Sequence, residues 1–340
     1  MKKILFTILQ YTIFLSLGII LLYLALRSID FRILWQRIFT ARYEFVLLSL
    51  LFGFVSFYVR AYRWNIMIEP LGFSPKLGNT YHAVIIGYMA NYAFPRIGEV
   101  TRCGVLSRSE KIPADELIGT VIAERAFDLL TLFLLTLTII LVKLKFFGRF
   151  FSEKIFQPTY HKLSFLVSNS YILVLIAFGI FILGLFLVYV FRKNILRITF
   201  VRKVGKIGKG VLEGLKTVFK IKRIGAFLLH TFLLWFLYLI MAWCVLYSLA
   251  PTSKLTLLDA LFVLIAGSYG MAAPVQAGIG AYHGIIALAL SIYAVSWNDA
   301  MAFAILSHGS QAIGIILLGL VSVIILFIKR HKVKIPEKTL

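Results

Sequence analysis

Carboxylates are scarce in this chain: 14 Asp and Glu stand against 36 Lys and Arg in 340 residues, a formal net charge of +22. Cysteine is almost missing. Cys103 and Cys244 supply neither a disulfide framework nor the paired spacing of a metal site. The signatures of common enzymes are also lacking: no G-x-S-x-G, no H-E-x-x-H, no Walker loop, no C-x-x-C and no Asp-x-Asp of the nucleotide-sugar kind. The sequence therefore assigns no catalytic residue, no metal and no cofactor, and the expectation is a protein that is not an enzyme. A long soluble stretch is missing too. In a nucleic-acid binder the positive charge would sit in such a stretch, so no nucleic-acid partner is expected.

What is present is apolar. Hydrophobic residues make up 61% and charged residues 15%, with a mean hydropathy of +0.93. Apolar content in soluble domains stays near half. Several windows reach the roughly 20 residues that cross a bilayer core. The chain reads as an all-α, polytopic helical membrane protein, a single integral membrane domain over 1–340. Spans are expected near 4–26, 45–62, 117–142, 171–191, 226–249 and 300–328. Two weaker apolar regions, 77–95 and 258–296, carry Gly, Pro, Asn or His and read as short or broken helices. Met1-Lys2-Lys3 before the run from Ile4 to Leu26 resembles the start of a signal peptide. That run is long, and Arg27 closes it without a small-x-small site, so an uncleaved first span is expected.

Basic loops beside spans fit anionic head groups and set orientation. Eleven basic residues lie between Arg192 and Arg223, and the tail from Lys329 to Lys334 holds four more. Both should be cytoplasmic, with Lys2-Lys3, in an inner (plasma) membrane. An even number of crossings must then separate residue 3 from residue 192, which four spans satisfy and a fifth at 77–95 would break. The segment 77–116 is therefore expected to dip into the membrane and return. Val201, Val204, Ile207, Val211, Leu212 and Leu215 recur at helical spacing among lysines, so 193–225 reads as a basic amphipathic linker between halves 1–192 and 226–340.

The polar points inside apolar sequence carry the functional reading, since charge and broken backbone at membrane depth persist where protein buries them or water reaches them. One is the segment from Asn91 to Arg102, with Pro95, Arg96, Gly98, Glu99 and Arg102. Another is Glu124-Arg125-x-x-Asp128. Asp128 can meet Arg125 or Glu124 across one helical turn, and Glu124 can reach Arg96 or Arg102. Gly98 reads as an unusual backbone angle or a close approach. Pro274, Gly278 and Gly280 break the second half as Pro95 and Gly98 break the first. His308 follows Gly280 at nearly the distance that Glu124 follows Gly98, and Gln311 shares its face. Paired Gly/Pro breaks in two halves point to a transporter's binding site and to an inverted repeat. Helix ends exposed at such breaks carry partial positive charge that suits a phosphate.

Pro95-Arg-x-Gly98-Glu-x-x-Arg102, Leu106-Ser-Arg108, Glu124-Arg-x-x-Asp128-Leu and Ala277-Gly-Ile-Gly280-x-x-x-Gly284 together resemble the lysylphosphatidylglycerol synthase transmembrane-region, or flippase-like, family. The resemblance covers nearly the whole chain and implies a lipid translocation module. In two-domain members a separate soluble domain performs aminoacyl transfer; this chain stops at Leu340, so lysine transfer is not expected. The resemblance implies an acidic residue where this chain has Tyr282-His283. Arg96, Gly98, Glu99, Arg102 and Arg108 are then expected to engage a head-group phosphate. Glu124, Arg125, Asp128, His308 and Gln311 would gate or balance charge. The expected partners are membrane lipids of the anionic phospholipid or polyprenyl-phosphate type, with a homodimer admitted. Two alternatives stand beside transport: a membrane-embedded transferase using a lipid phosphate donor, and an accessory scaffold subunit.

Overall fold

The computed structural model describes residues 12, 16, 18–27, 29–144, 146 and 221–332. The expected span at 171–191, nearly all of the basic linker and the two ends of the chain lie outside the described residues. Every regular element among those residues is helical: α1 (Phe31–Phe39), α2 (Tyr43–Ile68), α3 (Leu77–Ala93), α4 (Gly98–Glu110), α5 (Ala114–Val142), α6 (Ile224–Ser248), α7 (Leu257–Met271), α8 (Ala281–Ser291) and α9 (Trp297–Lys332), with short 3-10 turns at Glu69–Leu71 and Gln276–Gly278. Residues 18–26 are helical as well.

Local chemistry sets the boundaries. Asp30 caps α1, its carboxylate accepting from the amides of Arg32 and Ile33. Thr256 and Asp259 cap α7 reciprocally. The helix begun at Tyr43 ends in a 3-10 turn over Pro70 and stops at Gly72, whose φ of +87° suits glycine. It runs past the expected end at 62, and the extra turns bring Arg63 into the span. Among the described residues four helices are long and apolar enough to cross a bilayer: Tyr43–Leu71 including the 3-10 turn, α5, α6 and α9. Only 17% of the apolar window of α5, and as little of α9, is covered by protein. Surface so apolar and so uncovered needs lipid around it.

The weaker regions form two helix–break–helix hairpins. Pro95 disfavours helical backbone at the residue before it, and Phe94 is extended at φ −139°, ψ 137°. Arg96 follows in the left-handed region at φ +58°, and α4 then folds back along α3. The two ends of this hairpin meet, since the Glu110 carboxylate accepts from the Lys76 amide and from Asn79 Nδ2. The second break, between α7 and α8, holds Pro274 and three left-handed residues, Ala277, Gly278 and Gly280. Its ends are also close: Lys143 at the end of α5 reaches both Asp259 in α7 and Tyr293 just beyond α8.

Helix α9 orders the two hairpins. Its Lys329 reaches Asn79 at the base of the first hairpin, and its amino end follows directly on the base of the second. Both tips arrive about a third of the way along it, where His308 stacks on Tyr92 near the end of α3 and packs tilted against Tyr282 at the start of α8. Arg96 in one tip donates to the Ala272 carbonyl in the other. His308 lies 11 residues into α9, roughly 16 Å at 1.5 Å per residue, about half of a ~30 Å apolar layer.

Close approach within each hairpin depends on glycine. A Cβ on Gly98 would overlap the Gly87 carbonyl and sit 2.6 Å from Asn91 Nδ2; one on Gly270 would sit 2.7 Å from Tyr282 Cα. Because backbone, not a flexible side chain, blocks the methyl group at Gly87, Gly98→Ala must pry α3 from α4. We expect a loss of stability of about 1–3 kcal/mol, the usual cost of overpacking, visible as a lower thermal midpoint in detergent. Gly78→Ala, where a Cβ meets nothing within 4 Å, should leave it unchanged.

Candidate functional site

On α2, Arg60 and Arg63 are one turn apart, as are Glu124 and Asp128 on α5, so each helix presents a like-charged pair on one face. The two faces meet, and α4 adds Arg102. Glu124 is fully buried and holds three guanidinium groups: Arg60, Arg63 at 3.0 Å and Arg102 at 2.7 Å. Asp128 completes the set, 2.8 Å from Arg63 and 3.3 Å from Arg60. Aromatic and hydroxyl groups line the arginines. Trp64 lies under Arg102 at 4.6 Å, Phe227 under Arg63 at 5.7 Å and Tyr88 beside Arg60 at 5.9 Å, cation–π contacts that partly replace lost hydration. Tyr238 Oη accepts from Arg60 and Thr231 Oγ1 from Arg63.

Charge does not balance inside this cluster. Three buried arginines face two carboxylates, an excess of one positive charge. The Nε–H groups of Arg60, Arg63 and Arg102 are buried and have no acceptor among the described residues. Burying an uncompensated charge is costly unless something of opposite sign joins it. Arg125 and Glu99 stand at the edge, 3.8 Å apart with side chains 40% and 34% exposed, and Arg125 also comes to 4.0 Å from Glu124. They form the accessible rim of an otherwise closed cluster.

The structure distributes the expected residues unevenly. Arg102, Glu124 and Asp128 converge. Asp128 pairs with Arg60 and Arg63, not with Arg125, because those arginines lie against its face of α5 while Arg125 points toward Glu99. Gly98 provides close approach, and its amide is capped by Asn91 Oδ1 at 2.8 Å. Arg96 is exposed and clasps the second hairpin. Arg108 is exposed in the last turn of α4 and forms none of the cluster's ion pairs. Pro95, Pro274, Gly278 and Gly280 sit in the breaks. His308 and Gln311 stay out of the charged cluster; His308 belongs to a separate group with Tyr92, Tyr282 and His283. Arg60 and Arg63 were missed because Val59-Arg-Ala-Tyr-Arg-Trp64 reads as the snorkelling end of a span. Their one-turn spacing, matching that of Glu124 and Asp128, was the available signal. Among the described residues no three His, Cys, Asp or Glu side chains converge as metal ligands.

Comparison with known proteins bears on this arrangement. The family model described as lysylphosphatidylglycerol synthase TM region matches residues 8–319. A UPF0104 membrane protein of Methanocaldococcus jannaschii is 30% identical over 100 residues, covering 28% of this chain and 30% of the archaeal one. The chain thus spans less than a third of the length of that relative. No solved structure matches.

Proposed function

The chain belongs to the lysylphosphatidylglycerol synthase transmembrane-region family, and on that premise we propose that it moves a phospholipid or lipid-linked phosphate between the two leaflets. The observation that carries this reading is the single excess positive charge in the buried cluster of Arg60, Arg63, Arg102, Glu124 and Asp128. A phosphodiester head group brings one negative charge and several acceptor oxygens, which suit the unpartnered Nε–H groups. Arg125 and Glu99 at the rim would admit it, and Arg96 would meet it at the hairpin tips.

In this reading both hairpins re-enter the bilayer from opposite sides, and their tips meet at mid-depth. Non-helical backbone is tolerated there only inside protein or beside water, and the join between paired breaks is where transporters place substrate. The first half would carry the charged site and the second the neutral one, with both chain ends cytoplasmic. The sequence holds no nucleotide-phosphate loop, so movement would be passive exchange or be driven by an ion gradient.

Reconstitution tests it directly. Vesicles containing the protein and fluorescent phospholipids of several head groups should show leaflet exchange well above protein-free vesicles by dithionite quenching. Exchange equal to that of empty vesicles for every lipid, polyprenyl phosphates included, would remove the proposal.

A further inference from the structure

The two hairpins place a side-chain pair at the same point of the same three-helix unit. In the first, Arg102 lies one turn into the returning helix α4 and meets Glu124 of the following span, 22 residues on. In the second, Tyr282 lies in the first turn of the returning helix α8 and meets Ser307 of α9, 25 residues on. The neighbours of these two residues, His283 and His308, bring their ring centroids to 5.1 Å, edge to face. Where the first hairpin holds fixed charges, the second holds two imidazoles, the side chain that ionises near neutrality.

Both rings are more than nine-tenths buried, 7% and 6% exposed. The backbone of Ala277 stands against the His308 ring, whose Nε2 is buried with no partner among the described residues. A neutral imidazole carries a lone pair on one of its two ring nitrogens, and that nitrogen can take a proton. His283 Nδ1 is buried and unpartnered as well, and so is Gln276 Nε2 in the break before α8. The titratable groups facing the pair are Tyr92 from α3 and Tyr282 from α8, with the Ser307 hydroxyl from α9 behind Tyr282. Helix α7 presses Gly267 and Gly270 against Tyr282 and adds no charge. No Asp, Glu, Lys or Arg of the described residues acts on either ring.

We propose that His283 and His308 form a proton-binding site in the second hairpin, the exchangeable counterpart of the Arg102–Glu124 pair in the first. The pair takes up one proton; a second would set two like charges together with no carboxylate to offset them. Uptake turns His308 from donor and acceptor into a double donor. This change falls beside the strained turn at Ala277, φ +45°, in the tip that Arg96 clasps through Ala272. Protonation therefore adds positive charge to the tip already joined to a guanidinium, and it opens the clasp.

That this proton drives lipid movement rests on the transport reading; that the pair binds one proton does not. The test has two arms. The first is ¹⁵N-imidazole NMR of the full chain in nanodiscs, with His82, His161, His230 and His331 replaced by Gln. We expect one proton taken up by the pair, the signals of both rings moving in a single coupled step, and loss of that coupling in H308Q or H283Q. Two separate one-proton titrations, or no uptake over the range where the fold persists, would overturn the site. The second arm imposes a pH gradient on proteoliposomes. The ratio of exchange rates with and without the gradient should exceed one in the unmodified protein and fall to one in H308Q, with H283Q measured if H308Q does not fold. Exchange that is indifferent to the gradient in the unmodified protein would overturn the coupling. A protein that exchanges no lipid at all would sink the transport reading and the coupling together, leaving the NMR arm to decide the proton site alone.

Discussion

Replacing Glu124 by Gln is expected to unfold the protein or to lower its stability by about 3–5 kcal/mol, the range for breaking a buried ion pair from one side. Glu124 holds Arg60, Arg63 and Arg102 at once, so its loss leaves three buried guanidinium groups with Asp128 alone. Hydration cannot rescue them, since Glu124 and Arg63 are fully buried and Arg60 and Arg102 are each 3% exposed. Thermal unfolding in detergent reads the effect directly. The cost should shrink when the excess cation is removed as well. Arg102→Met in the Glu124→Gln background leaves two arginines and one carboxylate, the same excess of one positive charge as the unmodified cluster, and a double-mutant cycle should give a coupling of at least ~1 kcal/mol, within the range for residues in contact. If Glu124→Gln cost less than ~1 kcal/mol, as an exposed pair would, the cluster would have to be open to water.

Arg125→Gln should do the reverse: little change in stability and a large loss of lipid exchange. Its side chain is 40% exposed and its partner Glu99 is 34% exposed, and pairs so exposed contribute about 0–1 kcal/mol. A guanidinium that meets a phosphate on entry contributes more, ~1.5–3 kcal/mol for a charge-assisted bond, which corresponds to roughly ten- to hundredfold in rate. The measurement is the exchange rate in vesicles beside the thermal midpoint in the same lipid. Retained exchange with an unchanged midpoint would count against transport through this rim. It would favour the reading in which the ion network only pins the first hairpin to the spans as a scaffold. Arg125→Lys separates charge from shape, because lysine keeps the charge and loses the planar fork.

Much of the fold could be read from composition and punctuation. Pro95 and Pro274 mark the two breaks because proline forbids the preceding residue's helical backbone, and Gly98 marks the close approach of α3 and α4 because nothing larger fits. The four long helices appear as apolar runs of bilayer length. The site was legible only in part. Glu124, Asp128 and Arg102 stand out as charges within apolar sequence, whereas Arg60 and Arg63 hide at what looks like the end of a span. The Arg125–Asp128 pair, allowed by one-turn spacing, did not form: a rotation of about 100° per residue puts Arg125 on the Glu99 side and Asp128 on the Arg63 side.

By itself the sequence determined that this is a helical membrane protein with two interrupted segments, since hydrophobic length and proline and glycine chemistry act locally. Only the tertiary structure decided that the interruptions meet at His308 of α9, that three arginines converge on one glutamate, and that His283 faces His308. Those pairings join residues 22 to 176 positions apart, and packing between helices, which no local preference encodes, chooses which faces touch.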